Sequence, residues 1–392
     1  MSDTKPSVRP NKRPRIDARR ERDRQRSPRS HWAERNPAAD SRRFRVPRPD
    51  DLLCVGESRR TLSQPKEIGY FSKFDDGRML FDRSKLLRYR EPPLGADLLS
   101  GLESYVPKDA LEPDAHPAPI APVLAALDHF QRSPSAEKTP HFVTFRNNLN
   151  KIMGTPYNTS SEWTLRAEKQ GGCVYLDVCR TESDIEGNRS MHENQKRGVY
   201  AGRQFELRCT QHDDAASGAG SGARAVNEHE EFCGLFSTTL AGKRLVVAAE
   251  IDCFDGPSPA AENYVELKTF RVLQRAKDTF VFERFKLLAF WIQSFVVGVP
   301  KIVCGFRDEA FAVSKLQTFQ TAEIPSFCRK YWNPSVCLNF TSTLLDWLHA
   351  ETCESQVYQV TYKPREHSVE LVTLAQQPSF VDAARAEVRS EA

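Results

Sequence analysis

Hydrophobic and polar residues alternate in short segments along most of the chain after residue 60, which is typical of mixed helix and strand structure. Residues 243–254 and 264–273 are rich in β-branched and aromatic residues and predict two strands, and residues 301–306 predict a buried third strand. In residues 282–297 the apolar side chains recur at helical spacing, which predicts a helix. Together these segments predict an α+β fold: a single domain with a large twisted mixed β-sheet flanked by helices.

Three other segments have less regular patterns. Residues 142–153 predict a helix, because their apolar residues fall on one helical stripe. Residues 181–196 are polar and charged, which predicts a loop. Residues 212–231 contain a run of Ala, Ser and Gly at their centre, which predicts a flexible surface loop between two strands.

Charge is distributed unevenly along the chain. Of the 56 Lys and Arg and the 52 Asp and Glu residues, 16 and 7 lie in residues 1–50, which leaves 40 basic and 45 acidic residues in the rest. The N-terminal segment has almost no aliphatic residues and cannot bury enough apolar surface to fold, so residues 1–60 predict a disordered basic tail. We expect a folded domain at residues 61–375 and a flexible C-terminal tail at residues 376–392.

Several protein classes are excluded by the absence of their signals. No apolar run reaches the roughly 18–20 residues that a membrane helix needs, so we expect no membrane association. The ten cysteines form no CxxC pair and no cluster with zinc spacing, which indicates buried thiols. No P-loop, dinucleotide-binding or G-x-S-x-G motif occurs.

A short basic cluster in the tail, Asn-Lys-Arg-Pro-Arg at residues 11–15, resembles a nuclear import signal. It predicts a nuclear protein. The alternative is a basic tail that is merely solvated.

Two pairs of charged residues carry the candidate chemistry: Glu250 with Asp252, and Glu266 with Lys268. Residues two apart in a strand point to the same face, so three carboxylates and one ammonium meet if the two strands are neighbours. Like charges this close are costly unless a cation compensates them, and Mg²⁺ or Mn²⁺ prefers oxygen ligands. Spacing alone leaves a second interpretation open, in which these residues form the solvent-facing side of two edge strands.

Acid-x-acid followed by acid-x-lysine is also the pattern of PD-(D/E)XK nucleases. The chain resembles the DXO decapping and exoribonuclease family over most of residues 65–350. Six motifs in the right order carry the resemblance: Arg146 within residues 145–149, and residues 202–206, 250–252, 266–268, 290–295 and 298–301.

The resemblance implies a metal-dependent hydrolase that acts on RNA 5′ ends. It would remove incomplete, unmethylated or NAD caps and 5′ triphosphates, with 5′–3′ exoribonuclease activity in addition. Two Mg²⁺ or Mn²⁺ ions are implied. The implied metal ligands are Glu206, Glu250, Asp252, Glu266 and the Leu267 carbonyl; the implied catalytic residues are Glu250, Asp252, Glu266 and Lys268; and the implied substrate contacts are Arg146, Glu206, Lys268 and Gln293.

One residue departs from the family pattern. Position 203 is Arg, where the family usually has a hydrophobic or aromatic residue. Arg203 could add a phosphate contact or change the preference for particular caps.

Two other functions stay open at this point. One is a non-catalytic protein that binds and stabilises a nuclear 5′–3′ exoribonuclease, as fungal relatives bind such a partner. The other is a DNA nuclease with the same metal chemistry. We expect the protein to be a monomer.

Overall fold

The computed structural model of the chain describes residues 41–53, 60–108, 119–130, 139–179, 181–212 and 224–391. Most of the predicted basic tail, including the cluster at residues 11–15, lies outside the described residues. The centre of the predicted loop at residues 212–231 lies outside them as well.

Sixteen strands form two sheets in the described part of the chain. The ten-stranded sheet has the order β1-β16-β15-β6-β7-β5-β10-β9-β2-β3. Its strands are β1 Ser41–Arg45, β2 Lys66–Lys73, β3 Met79–Leu80, β5 Phe142–Phe145, β6 Trp163–Gln170, β7 Cys173–Val178, β9 Glu231–Leu240, β10 Lys243–Glu250, β15 Val357–Lys363 and β16 Ser368–Thr373. The sheet is mixed, because β5 runs parallel to both of its neighbours whereas the other pairs are antiparallel.

The second sheet has six strands in the order β14-β13-β12-β11-β4-β8. They are β4 Arg88–Tyr89, β8 Thr210–Gln211, β11 Cys253–Phe254, β12 Tyr264–Arg271, β13 Lys301–Arg307 and β14 Val313–Gln320. β12 pairs in parallel with β13 and antiparallel with β11. The predicted α+β class with mixed sheets is therefore confirmed, with two sheets in place of the single one expected.

Ten α-helices accompany the sheets within the described residues. They are α1 Pro49–Leu53, α2 Ala121–Phe130, α3 Arg146–Gly154, α4 Glu182–Arg189, α5 Glu193–Arg208, α6 Ala276–Val281, α7 Leu287–Phe295, α8 Ile324–Cys328, α9 Pro334–Glu351 and α10 Phe380–Glu391. A π-helical turn, Phe282–Lys286, joins α6 to α7. None of the described helices is long and apolar enough to cross a membrane.

The apolar core is built around α7. Six of its nine residues are buried, and Trp291 is 2% exposed and packs against Trp332 with ring centroids 5.3 Å apart. Because α7 is apolar on almost every side, it is surrounded by protein, and its polar Gln293 must find a polar partner.

The predicted strand at residues 243–254 is two strands in the structure. β10 ends at Glu250 and belongs to the ten-stranded sheet, whereas β11 begins at Cys253 and belongs to the six-stranded sheet. The alternation of side chains does not show where a strand leaves one sheet for another, so the sequence pattern concealed this change. Glu250 and Asp252 consequently lie at the junction of the two sheets.

Two local predictions were wrong. Residues 142–153 form β5 followed by α3, because Phe142–Phe145 pairs with strands on both sides. Residues 181–196, expected to be a loop, contain α4 and the start of α5. The hydroxyl of Thr181 accepts a hydrogen bond from the Asp184 amide at 3.0 Å and the Asp184 carboxylate accepts one from the Thr181 amide at 2.9 Å, which caps α4.

The ordered chain begins before residue 61. β1 pairs with β16, and Phe44 packs on Trp347 with ring centroids 5.4 Å apart. Leu52 of α1 is 1% exposed. The few apolar residues of this segment are thus enough to attach it to the domain, although its composition resembles that of the preceding tail.

The C-terminal segment, predicted to be a flexible tail, contains α10. Val381 is fully buried, and the Glu168 carboxylate accepts hydrogen bonds from the backbone amides of Phe380 at 3.0 Å and Val381 at 3.2 Å. A carboxylate at a helix N-terminus compensates the unpaired amides there. The helix therefore docks on the domain through contacts from residues far away in sequence.

Replacing Val381 by Ala tests this docking. The free energy of unfolding should fall by about 1–3 kcal/mol, because two buried methyl groups are lost. Urea denaturation measures the change, with Arg389→Ala on the exposed face of α10 as the matched control. Equal stability of both variants and the wild type would show that the segment is undocked, as the sequence predicted.

Candidate active site

The predicted acidic residues meet at a cavity of about 1450 Å³. Glu206 reaches it from α5, Glu250 from the end of β10, and Asp252 from the link between the two sheets. Residues from distant parts of the chain are thus brought to one wall, as the motif order predicted.

Asp252 is placed by the pairing of β11 with β12. Cys253 lies opposite Val265 in that pair, and the same register continued by one residue puts Asp252 opposite Glu266. The Leu267 amide donates a hydrogen bond to Asp252 Oδ2 at 2.6 Å. Leu267 itself is buried, so its backbone fixes the Asp252 carboxylate at the cavity wall.

Glu266 is the centre of a buried polar network. Its side chain is 1% exposed, and Arg146 Nη1 donates to its Oε2 at 2.9 Å. Lys268 and Gln293 both donate to its Oε1. Arg146 begins α3 directly after β5, whereas Gln293 lies on α7, so this one carboxylate joins two helices to β12.

The charges around Glu266 decide its ionisation. Burial disfavours the carboxylate, but the positive charges of Arg146 and Lys268 outweigh burial and hold the pKa of Glu266 below its ordinary value. Glu266 is therefore ionised at neutral pH, and the predicted same-face pairing of Glu266 with Lys268 is confirmed.

The other three carboxylates have the opposite shift. Burial, with repulsion from Asp252, raises the pKa of Glu206 to about 8, and burial with repulsion from Glu266 raises the pKa of Asp252 to about 6. Burial and repulsion from Glu231 and Asp252 also raise the pKa of Glu250. Because Glu250 as a whole is exposed to the cavity, we regard carboxylate repulsion as the decisive cause there.

These residues suit a divalent cation in their chemistry. Their carboxylate oxygens are hard ligands of the kind that Mg²⁺ and Mn²⁺ prefer. Burial and mutual repulsion both raise the pKa values of these carboxyl groups, and a bound cation would offset both effects. As placed, however, the described residues contain no group of three or more His, Cys, Asp and Glu side chains arranged to hold a metal ion. Glu266, one of the implied ligands, instead accepts hydrogen bonds from Arg146, Lys268 and Gln293.

Helix α5 lies close to the six-stranded sheet because of a glycine. A Cβ added to Gly305 of β13 would lie 2.3 Å from the ring of Phe205, which is fully buried. A larger residue at this position would push α5 outward. The close packing therefore positions Glu206, the next residue on the helix, at the cavity.

Arg203 lies one turn before Glu206 on the same helix and also lines the cavity. Its Nη2 forms an ion pair with Glu228 Oε2 at 2.6 Å, and the Tyr105 hydroxyl contacts the other Glu228 oxygen. Sequence reasoning did not identify Glu228 or Tyr105. No local signal could have found them, because both lie in segments without regular patterns and become neighbours only in the fold.

Replacing Glu206 by Gln tests the electrostatics of the metal-free site. The pKa of Glu206 is about 8 in the folded protein and about 4.3 in an unfolded chain, so the folded state holds a proton that the unfolded state releases. The stability from this proton is present below about pH 4.3 and is lost as the pH rises to about 8. The variant lacks this loss, so its free energy of unfolding relative to wild type should increase over that range.

Urea denaturation in the presence of a chelator, at a series of pH values, measures this difference. Glu309→Gln, at an exposed position, is the control and should follow the wild type. A constant difference between Glu206→Gln and wild type at every pH would contradict the raised pKa.

Comparison with known proteins identifies the family of the chain. A sequence profile of the RAI1-like PD-(D/E)XK nuclease family matches residues 63–386. The decapping and exoribonuclease protein of Xenopus laevis is 30% identical over 330 residues, which are 76% of this chain and 80% of that protein.

Two solved fungal structures share the fold. Scheffersomyces stipitis Rai1, solved with (3′-NADP)⁺ and a calcium ion, has a TM-score of 0.72 and 22% identity, and the match covers 88% of this chain and 98% of that one. Candida albicans Rai1, solved with pU5-Mn²⁺, has a TM-score of 0.71 and 24% identity, and the match covers 84% of this chain and 97% of that one. The resemblance predicted from the motifs is thus confirmed, and the chain belongs to the RAI1-like PD-(D/E)XK nuclease family.

Proposed function

We propose that this protein is a divalent-metal-dependent hydrolase that acts on RNA 5′ ends. It removes incomplete, unmethylated or NAD caps and 5′ triphosphates, and then degrades the RNA from 5′ to 3′. The observation that carries the proposal is the wall of carboxylates at Glu206, Glu250 and Asp252 beside the Glu266–Lys268 pair. The related Xenopus protein, named a decapping and exoribonuclease protein, and the fungal Rai1 solved with pU5-Mn²⁺ support it.

The metal ligands in this proposal are Glu206, Glu250, Asp252 and Glu266 with the Leu267 carbonyl. Bound divalent cations supply Lewis-acid chemistry: they offset charge on the phosphate and lower the pKa of a nearby water. The raised pKa values of Glu206 and Asp252 mean that protons must leave these groups before they can bind a cation.

Lys268 and Gln293 would orient the reacting groups. Both donate to Glu266 Oε1, and both side chains are partly exposed, so they can also reach substrate oxygens. Lys268 stays charged, because its neighbour Glu266 raises the pKa of its ammonium in spite of burial. A fixed positive charge stabilises the negative charge that develops on a phosphate in the transition state.

Arg146 contacts a carboxylate of the site. It is 7% exposed, and its guanidinium binds Glu266. We therefore propose that it holds Glu266 in position, and its predicted contact with a substrate phosphate stays a prediction.

The double variant Glu250→Gln, Asp252→Asn tests the proposal. Purified protein is incubated with RNAs that carry each type of labelled 5′ end, with Mg²⁺, Mn²⁺ or chelator. The wild type should release the end in a chelator-sensitive manner, and the double variant should be slower by at least about 100-fold. The matched control, Glu309→Gln with Glu323→Gln, removes two exposed carboxylates and should retain full activity.

The same variants separate the alternatives. A non-catalytic protein that stabilises a 5′–3′ exoribonuclease would release no 5′ end, and its binding of that partner would survive the double substitution. Cleavage of DNA ends at rates comparable to RNA would support the DNA nuclease. We further propose that the protein acts as a monomer, because one chain supplies every residue of the carboxylate wall.

We propose a nuclear location on the basis of the cluster at residues 11–15. Replacing Lys12, Arg13 and Arg15 by Ala should move a fluorescent fusion of the full chain from the nucleus to the cytoplasm, because import receptors bind clustered positive charge. The control replaces Arg22, Arg24 and Arg26, which removes the same charge elsewhere in the tail. Unchanged location in the first variant would contradict the proposal.

A further inference from the structure

Arg203 is a cation at the cavity wall that the proposed chemistry does not use. Its side chain is 38% exposed, and it points from α5 toward the same cavity as Glu206 and Glu250. Glu228 pairs with its Nη2, and the Tyr105 side chain also interacts with the guanidinium. Its Nε is buried and has no hydrogen-bond partner among the described residues.

The donors of Arg203 therefore exceed the acceptors that the protein provides. A guanidinium has five N–H groups in a planar fork that matches the oxygens of a phosphate. The buried Nε lies out of reach of a ligand, but the exposed part of the side chain offers further N–H groups of the fork to acceptor oxygens in the cavity. Because Glu228 and Tyr105 contact each other behind it, the fork is held in one orientation.

Helix α5 gives the direction in which a ligand would extend. Lys196, Arg203 and Glu206 all line the cavity, and Lys196 is exposed. Ten residues of helix separate Lys196 from Glu206, which is about 15 Å along the axis. The helix thus leads from the carboxylate wall past three cations that line the cavity, Arg203, Arg197 and Lys196. The acidic Glu193 and Glu228 line it as well.

This arrangement suits a polyanion that begins at the carboxylate wall and leaves along α5. A cap or a triphosphate is short, whereas the RNA body carries one phosphate per nucleotide and must exit through the space that remains. On α5, Arg203 is the cavity-lining cation nearest in sequence to Glu206, one turn away from it.

The following inference rests on the proposed function. We propose that Arg203 binds the RNA phosphate on the 3′ side of the cleaved phosphate. Glu228 holds the Arg203 guanidinium in the orientation for this contact. Arg203 thereby selects substrates that continue as a nucleic acid chain. In the alternative, Arg203 only offsets the negative charge of Glu206 and Glu250. Its replacement would then affect metal binding but not RNA binding.

The test is a double-mutant cycle between protein and substrate. One RNA carries an uncharged methylphosphonate in place of the phosphate that follows the cleaved bond, and its partner is the unmodified RNA. The proteins are wild type, Arg203→Leu, Arg203→Lys and Arg208→Leu, the last being the same substitution one turn along α5 outside the lining residues. Both kcat/KM at saturating Mn²⁺ and equilibrium binding without metal are measured, and thermal denaturation checks folding.

For wild type, the methylphosphonate should lower kcat/KM and binding by about tenfold. With unmodified RNA, Arg203→Leu should lower kcat/KM and binding by about tenfold. With the methylphosphonate RNA it should lower them little further, because the two changes remove the same contact. The values for Arg203→Lys should lie between those of wild type and Arg203→Leu, because Lys keeps the charge but not the planar fork of N–H donors. Arg208→Leu should match wild type.

The proposal would be overturned if the losses caused by Arg203→Leu and by the methylphosphonate multiplied, as the losses of two independent contacts do. It would also be overturned if Arg203→Leu changed only the Mn²⁺ concentration for half-maximal activity. That result is expected if Arg203 only offsets the negative charge of the carboxylates. If the wild type hydrolyses no 5′ end, the proposed function fails, and the metal-free binding cycle still decides whether Arg203 contacts that phosphate.

Discussion

The buried Glu266 carboxylate is the interaction on which the site depends. It is ionised in a nearly water-free position because two cations and one amide surround it. Removing either cation would leave an uncompensated buried charge, which is far more costly than losing a surface ion pair. The network also fixes geometry, because α3, α7 and β12 must approach one another to satisfy the same two oxygens.

The link between the two sheets gives the site its position. β10 ends at Glu250 and β11 begins at Cys253, so only Ile251 and Asp252 cross from one sheet to the other. Neither sheet alone contains the carboxylate wall. A ligand in the cavity contacts both sheets at the place where the chain passes between them, and close packing around Gly305 brings the third element, α5, to the same place.

The sequence revealed those parts of the site that depend on local geometry. The two-residue spacing correctly placed Glu266 and Lys268 together, and the motifs correctly brought Glu206, Glu250 and Asp252 to one cavity wall. What it missed depends on distant neighbours. Glu228 contacts Arg203 only in the tertiary fold. Helix α10 docks because Glu168 accepts hydrogen bonds from its N-terminal amides and because it packs on an apolar surface formed by distant residues. No periodicity within a segment encodes such partners.

The pairing of β1 with β16 has a consequence for how the protein is made. β1 is the first strand of the described chain and β16 is the last, yet they lie side by side at the edge of the ten-stranded sheet. During synthesis β1 leaves the ribosome more than 300 residues before its partner, counted from Arg45 to Ser368. Its backbone groups must therefore stay hydrated until β16 has been synthesised. A nascent chain that has not yet exposed β16 consequently lacks this edge, and the ten-stranded sheet is complete only after β16 has left the ribosome.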